Sequence, residues 1–242
     1  MKKKKVIIKF IMLVCLIVLI YSIYNIIDWH LANNKTEIIQ EEINEIIDET
    51  SEDKNDIDFD SLKKKNKEIV AYLKVPGTNI DYVVVKGKDN SYYLKHNLYK
   101  QSSVAGWIFM DYHNKLDGSD KNIVIYGHNT YNGTMFGTLK NALKKEWYEN
   151  PDNHIINLVI EGDVLTYQVF STYTIKAEDY YINTKFKDNN EFNKFVTTLK
   201  KRSVNKYNVE VDGEDSILTL STCVTGGKSR MVVHAKLIEL IP

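Results

Sequence analysis

The chain begins with an apolar run that extends from Val6 to Ile27 and is interrupted by Lys9 and a few mildly polar residues. This run is long enough to cross a bilayer as a helix. Five lysines lie within the first nine residues, whereas acidic residues follow the run, so the positive-inside bias predicts a cytoplasmic N-terminus. A cleaved signal peptide is the alternative, but YSIYNIIDWH offers no small-residue cleavage site. Residues 1–27 are therefore predicted to be a single-pass membrane anchor, with the rest of the chain outside.

Residues 28–56 form an acidic segment with isoleucines at helical spacing. The isoleucines lie at positions 38, 39, 43, 46 and 47, and the periodicity stops at SEDKND. Two heptads are too few to predict a coiled-coil dimer. We expect a helical stalk that passes into a solvated linker.

Short apolar runs dominate residues 57–242. A helix is predicted over residues 61–73, and the Pro76-Gly77 pair then suits the centre of a type II turn that joins two short strands. Further runs rich in Val, Ile, Thr and aromatic residues predict strands; these are AGWIFM, NIVIY, IINLVI, LTYQVFSTYTI, SILTLST and RMVVHAKLIEL. Eight short strands joined by loops indicate a barrel or a sandwich.

Helical patterns interrupt the strands in three places, at residues 89–98, 134–143 and 188–203. The third is amphipathic, with Phe192 and Leu199 on one face, and Asp188 and Glu191 can cap its start. The pattern predicts a mostly β domain with peripheral helices.

Composition narrows the classes of function. The net charge is zero, which argues against nucleic acid as a partner. Of the two cysteines, Cys15 lies in the apolar run, so Cys223 has no partner for a disulfide. An unpaired cysteine in an exported domain is either buried as a small apolar residue or used for its reactivity.

Cys223 ends a predicted strand, VTGGKS follows as a short connection, and Arg230 begins the returning strand. In such a hairpin Cys223 and Arg230 are predicted to be close neighbours. A guanidinium there would favour the thiolate and would donate hydrogen bonds to a carbonyl oxygen that gains charge. The alternative is a surface arginine near a buried cysteine.

One histidine stands out as a candidate base. His128 follows a predicted strand in YGHN, where a rigid scaffold presents catalytic groups. The other histidines offer less: His30 lies beside the membrane, His154 is in a polar loop, His234 is within a strand, and His96 and His113 lack an obvious partner.

These motifs resemble those of the sortases, and of class B within them. YGHN at 126–129, LSTC at 220–223 and Arg230 match the family's histidine, cysteine and arginine motifs in order. The resemblance covers roughly residues 57–240. The helices ahead of the barrel and at 188–202 resemble class B rather than class A. The resemblance implies an eight-stranded sortase-type β-barrel.

For the site, the resemblance implies a cysteine transpeptidase with Cys223, His128 and Arg230 as its catalytic set. Asn90, Leu94, Ser221 and Thr222 correspond to positions that form the substrate-groove wall in relatives. Some class B members carry an acidic residue shortly after the cysteine, but Val224 to Gly227 contain none, so no triad through that loop is available.

The resemblance also implies the partners. These are secreted proteins that bear a C-terminal sorting signal and the amine of a peptidoglycan precursor, with no metal or cofactor and a monomeric ectodomain. The signal is either an Asn-Pro-Gln-Thr-Asn-like or a Pro-x-Thr-Gly-like sequence. Another envelope cysteine acyltransferase or peptidase, or a non-catalytic anchored binding barrel, remains as an alternative.

Overall fold

The computed structural model describes residues 2–50, 57–176, 178–223 and 229–241, without the side chains of Lys2, Thr50 and Cys223. The α-helices are α1 (Lys2–Thr50), α2 (Phe59–Lys65), α3 (Lys145–Tyr148) and α4 (Asn189–Arg202). The strands are β1 (Ile69–Val75), β2 (Ile80–Val85), β3 (Phe109–Met110), β4 (Asn122–His128), β5 (Ile155–Ile160), β6 (Asp163–Lys176), β7 (Ile217–Cys223) and β8 (Ser229–Ile241).

The eight strands close into a barrel in the order β1-β2-β3-β4-β7-β8-β6-β5. Two neighbouring pairs are parallel, β2 with β3 and β4 with β7, and the others are antiparallel. Closure leaves no free sheet edge among these strands, which removes a common route to aggregation. The predicted eight-stranded barrel with peripheral helices is confirmed.

The first strand lies where the sequence predicted a helix. The predicted helix over residues 61–73 is wrong beyond Lys65, because Asn66 leaves the helical conformation and Ile69 begins β1. The Asn66 amide donates to the Tyr93 hydroxyl (2.9 Å) and to the Leu98 carbonyl (2.7 Å). These buried bonds turn the chain into the barrel wall, and propensity does not reveal them.

Two other predicted helices are only short 3₁₀ turns. The pattern at 89–98 yields Tyr92–Leu94, and the pattern at 134–143 yields Leu139–Leu143. The AGWIFM run contributes only Phe109–Met110 to the sheet. The amphipathic α4 is confirmed, with Asp188 accepting a hydrogen bond from the Glu191 N–H (2.9 Å).

Helix α1 is continuous from the apolar run into the acidic segment. It contains the one candidate membrane span found among the described residues, and the apolar part of that span is exposed. Further along, Ile39, Ile43 and Ile47 are buried in the hydrophobic core cluster. Glu42 accepts bonds from the Tyr99 hydroxyl (2.5 Å) and the Lys65 ammonium (2.6 Å). This part of α1 is therefore packed on the barrel domain, whereas the linker predicted at SEDKND lies outside the described residues.

The barrel core contains a fully buried histidine. His234 on β8 bonds the Thr219 hydroxyl through Nδ1 (2.9 Å) and the Tyr173 hydroxyl through Nε2 (2.8 Å). Burial, with a smaller contribution from the Arg202 charge, lowers the pKa of His234 to about 3. His234 is therefore a neutral, hydrogen-bonded core residue.

Packing of α1 predicts unequal effects for two isoleucines of the same helix. Ile43 is 0% exposed and Ile38 is 63% exposed. Ile43→Ala should lower the unfolding free energy of an ectodomain from residue 28 by about 2–5 kcal/mol, because it leaves a cavity at the helix–barrel contact. Ile38→Ala should change it by less than about 0.5 kcal/mol. Equal urea midpoints for the two variants would show that α1 stands free of the barrel.

The buried His234 predicts acid sensitivity. In the unfolded chain His234 is protonated below about pH 6.5, whereas in the folded protein it stays neutral down to about pH 3. The unfolded state therefore binds one more proton between these values, and stability falls as the pH drops through this window. Between pH 7.5 and 5.5 the parent should lose about 1.4 kcal/mol more than His234→Gln, as measured by urea unfolding. Identical pH dependence in the two proteins would contradict the assigned pKa.

Candidate active site

Two parallel strands bring His128 and Cys223 together. In the β4–β7 register Asn122 faces Ile217, and the pairing runs without a shift to His128 and Cys223, each the last residue of its strand. Residues at the same level of neighbouring strands project from the same face of a sheet, about 4.8 Å apart. The histidine and the cysteine are therefore adjacent at one end of the barrel.

Arg230 lies on the strand on the other side of β7. The antiparallel β7–β8 register pairs Ser221 with Val232, and Arg230 lies two residues before Val232 on β8, where it pairs with Ile175 of β6. The Met231 N–H donates to the Thr222 hydroxyl (2.9 Å), which holds the two strands together at this point. The arginine is therefore near the start of the strand that follows the cysteine strand in the barrel.

A backbone carbonyl fixes the His128 ring. His128 is 8% exposed, and its Nε2 lies 2.8 Å from the Leu94 carbonyl oxygen. A carbonyl only accepts hydrogen bonds, so Nε2 carries a hydrogen in this contact. The Leu94 carbonyl sets the tautomer, as a carboxylate does in many catalytic histidine pairs.

The loop approaches His128 this closely because residue 106 is glycine. Gly106 has a φ of +59°, and a Cβ there would lie 2.5 Å from the Tyr93 oxygen, 2.9 Å from His128 Cδ2 and 3.1 Å from the Leu94 oxygen. Any side chain would force the loop and the imidazole apart. Gly106 therefore permits the contact that orients the histidine.

Leu94 lies beside His128, whereas the described partners of Asn90 are Asp111 and Tyr112. Leu94 ends the 3₁₀ turn and is half-buried against the core. The Asn90 amide donates to the Asp111 carboxylate (2.7 Å), and its oxygen accepts from the Tyr112 N–H (3.1 Å). Both residues are thus fixed by internal contacts before any ligand arrives.

The two residues before the cysteine have different surroundings. Ser221 shares the face of Cys223, and its hydroxyl is bonded to the Tyr181 hydroxyl (2.9 Å). Thr222 faces the opposite side and bonds the start of β8. Both residues are 1% exposed. Ser221, but not Thr222, therefore lies on the strand face of positions 128 and 223.

The histidines other than His128 have structural partners. His96 bonds the Tyr92 carbonyl (2.8 Å) and stacks on its ring, and His113 bonds Asp111 (2.8 Å), so the expectation that these two lack partners is wrong. Burial lowers the pKa of His154, which packs among aromatic rings. Within the described residues no three His, Cys, Asp or Glu side chains converge as a metal site.

Sequence motifs did not identify several residues of the site. The Leu94 carbonyl, Gly106, Asp111 and Tyr181 all contact site residues from distant parts of the chain. Asp111 follows a two-residue strand in WIFMDYHN, and no spacing there marks it as a partner of Asn90.

Comparison with known proteins identifies the family of the chain. The family model of the sortase domain matches residues 73–238. Sortase B of Listeria monocytogenes is 39% identical over 183 residues, which cover 73% of this chain and 72% of the relative.

Solved structures give the same result. A Staphylococcus aureus sortase B–substrate complex is 37% identical, with a TM-score of 0.71 over 75% of this chain and 84% of that one. A sortase B complexed with triglycine is 37% identical, with a TM-score of 0.71 over 75% of this chain and 85% of that one. The chain therefore belongs to the sortase family of cysteine transpeptidases, and its similarities place it with the class B sortases.

Proposed function

We propose that this class B sortase cleaves the C-terminal sorting signal of secreted proteins after a threonine and joins the threonine to a peptidoglycan amine. The observation that supports the proposal is the unshifted β4–β7 pairing that ends in His128 and Cys223, with Arg230 near the start of the neighbouring β8. A base, a nucleophile and a fixed cation at one strand end are the groups that acyl transfer requires.

In the first half-reaction the Cys223 thiolate attacks the threonine carbonyl carbon. The carbonyl oxygen becomes an oxyanion, to which the Arg230 guanidinium donates hydrogen bonds. The C–N bond then breaks, His128 gives a proton to the leaving amine, and a thioester remains on the cysteine.

In the second half-reaction an amine attacks the thioester carbon. His128 accepts the proton that the amine loses, the C–S bond breaks, and the thiolate is released with a new amide bond. Because the Leu94 carbonyl holds Nε2 at 2.8 Å, the imidazole keeps one orientation through both proton transfers. A hydrogen-bonded ring that keeps one tautomer needs no reorientation between the two steps.

The substrate groove is assigned to the wall that borders His128 and Cys223. Asn90 and Leu94 lie on the segment after β2, and Ser221 lies on the face of the cysteine one step down the strand. Thr222 lies on the opposite face of β7 and supports the groove indirectly, because its hydroxyl holds the start of β8 in place.

The two halves of the reaction have counterparts among similar proteins. The S. aureus sortase B was solved as a substrate complex, and another sortase B was solved with triglycine, a peptide that begins with a free amine. Both ligand classes support a peptide donor and an amine acceptor for this chain.

The exposed apolar part of α1 supports a membrane location. With the lysines on the cytoplasmic side, the barrel lies outside the membrane, where secreted substrates and lipid-linked wall precursors are found. Packing of Ile39, Ile43 and Ile47 on the barrel then keeps the active site near the bilayer surface.

The test is a screen of Asn-Pro-Gln-Thr-Asn-like and Pro-x-Thr-Gly-like fluorogenic peptides with triglycine as the acceptor. Mass spectrometry should find a thioester on Cys223 and a product joined to triglycine. Cys223→Ala should abolish both while the fold is retained, whereas Cys15→Ala, in the membrane segment, should leave both unchanged. Cleavage by the Cys223→Ala variant near the parent rate would remove the assignment of the nucleophile.

A second arm of this screen separates the roles of His128 and Arg230. Each loss should lower the rate by about 10²-fold or more, so rates alone do not distinguish them. A thioester substrate has a leaving group that needs no proton, so it should restore acylation in His128→Ala but not in Arg230→Ala. Arg230→Lys should also fail, because lysine lacks the planar fork. Equal recovery in both alanine variants would contradict the assigned roles.

A further inference from the structure

Asp111 is a buried carboxylate outside the proposed set of His128, Cys223 and Arg230. It directly follows β3, and its N–H donates to the Val124 carbonyl (2.8 Å) on β4. The residue is 3% exposed. A buried carboxylate is costly unless donors surround it.

Four donors surround this carboxylate. Oδ2 accepts from the Asn90 amide (2.7 Å) and the Tyr126 hydroxyl (2.8 Å). Oδ1 accepts from the His113 N–H (2.9 Å) and lies 2.8 Å from His113 Nδ1. The described ion pairs give Asp111 no lysine or arginine, so hydrogen bonds are what satisfy its oxygens.

These contacts fix which way the Asn90 amide faces. Its oxygen accepts from the Tyr112 N–H (3.1 Å), and its nitrogen uses one of two hydrogens on Asp111. A flipped amide would bring an oxygen against the carboxylate and a nitrogen against an N–H donor. The second N–H of Asn90 has no acceptor among the described residues, and the residue is half-buried.

The same carboxylate joins Asn90 to the catalytic strand. Tyr126 lies two residues before His128 on β4 and faces Ser221 on β7. Residues two apart share a face of a strand, so Tyr126 lies beneath the catalytic histidine. Asp111 therefore sets the position of Asn90 relative to the reacting groups.

We propose that Asp111 is a positioning residue for substrate recognition. It holds the Asn90 amide so that the second N–H donates to a carbonyl oxygen of the sorting peptide. This inference rests on the proposed function. It adds Asp111 as the residue that keeps the NH2 group of Asn90, rather than its oxygen, available to the peptide.

A matched pair elsewhere in the barrel distinguishes positioning from stability. Asp120, at the start of β4, accepts from the Asn114 amide (3.1 Å) and from the N–H groups of Lys115 (2.7 Å) and Leu116 (2.8 Å). This asparagine–aspartate pair lies at the end of β4 away from His128. Asp120→Asn therefore controls for the loss of a carboxylate that organises a loop.

The experiment measures peptide KM, triglycine KM, kcat and the unfolding midpoint for the full-length chain in detergent. In Asp111→Asn, the new NH2 group replaces one carboxylate oxygen and faces the donors that this oxygen bonded. The asparagine at position 111 therefore no longer holds the Asn90 amide in one orientation. Both Asp111→Asn and Asn90→Ala should raise the peptide KM about 3- to 10-fold, the value of one hydrogen bond. The triglycine KM and kcat should change by less than about 2-fold, because binding to the donor peptide is lost uniformly. The variant that combines Asp111→Asn with Asn90→Ala should have a peptide KM no higher than that of Asn90→Ala alone, because both changes remove the same interaction.

A swapped variant, Asn90→Asp with Asp111→Asn, keeps a hydrogen bond between the two residues but removes the outward N–H. It should unfold near the parent midpoint and still show the raised peptide KM. This variant keeps the test valid if Asp111→Asn alone folds poorly.

Three results would overturn the inference. These are a peptide KM unchanged in Asp111→Asn, an equal rise in Asp120→Asn, or a full return of the parent KM in the swapped variant. If the parent cleaves no peptide and forms no thioester, the proposed function fails and the inference fails with it. Normal cleavage by the parent with an unaffected Asp111→Asn overturns the positioning role alone.

Discussion

The active site depends on the parallel pairing of β4 with β7. Parallel strands end at the same edge of a sheet, so the last residues of both strands meet there without further loops. The register is unshifted over seven pairs, from Asn122–Ile217 to His128–Cys223. A slip by one residue would set Thr222 opposite His128 and would turn position 223 to the other face of the sheet, which would separate the base from the nucleophile. The closed barrel prevents such a slip, because β7 is also paired with β8.

The strands determine where the site residues lie, and buried polar contacts determine how their side chains are oriented. The Leu94 carbonyl fixes the His128 tautomer, Gly106 allows the loop to come that close, and Asp111 orients the Asn90 amide. Each contact joins the segment after β2 to a residue on or beside β4. Unpaired buried groups would be costly, so these hydrogen bonds specify one arrangement of the loop.

Much of the fold could be predicted from the sequence because runs of β-branched and aromatic residues mark strands that are long enough to show a pattern. IINLVI matches β5 at both ends. Prediction failed where tertiary contacts decide the conformation, as at Asn66, whose buried amide ends α2 and begins β1. The isoleucines of α1 predicted a helix, but the barrel surface that buries them is visible only in the structure. For the proposed site, motifs predict Cys223, His128 and Arg230, whereas the contact of the Leu94 carbonyl and the contacts of the Asp111 carboxylate could not be predicted from motif spacing.

The most direct test of the β4–β7 register is a disulfide between positions 128 and 223. Neighbouring strands lie about 4.8 Å apart, which suits the Cα spacing of a disulfide, whereas residue 126 is about 8 Å from position 223. In a Cys15→Ala background, His128→Cys should form a disulfide with Cys223 under mild oxidation, lose two hydrogens in intact mass and resist a methanethiosulfonate reagent. Tyr126→Cys should form no disulfide, so its intact mass should be unchanged by oxidation and both of its thiols should react after the protein is unfolded. Free thiols in the first variant, or a disulfide in the second, would contradict the register on which the active site depends.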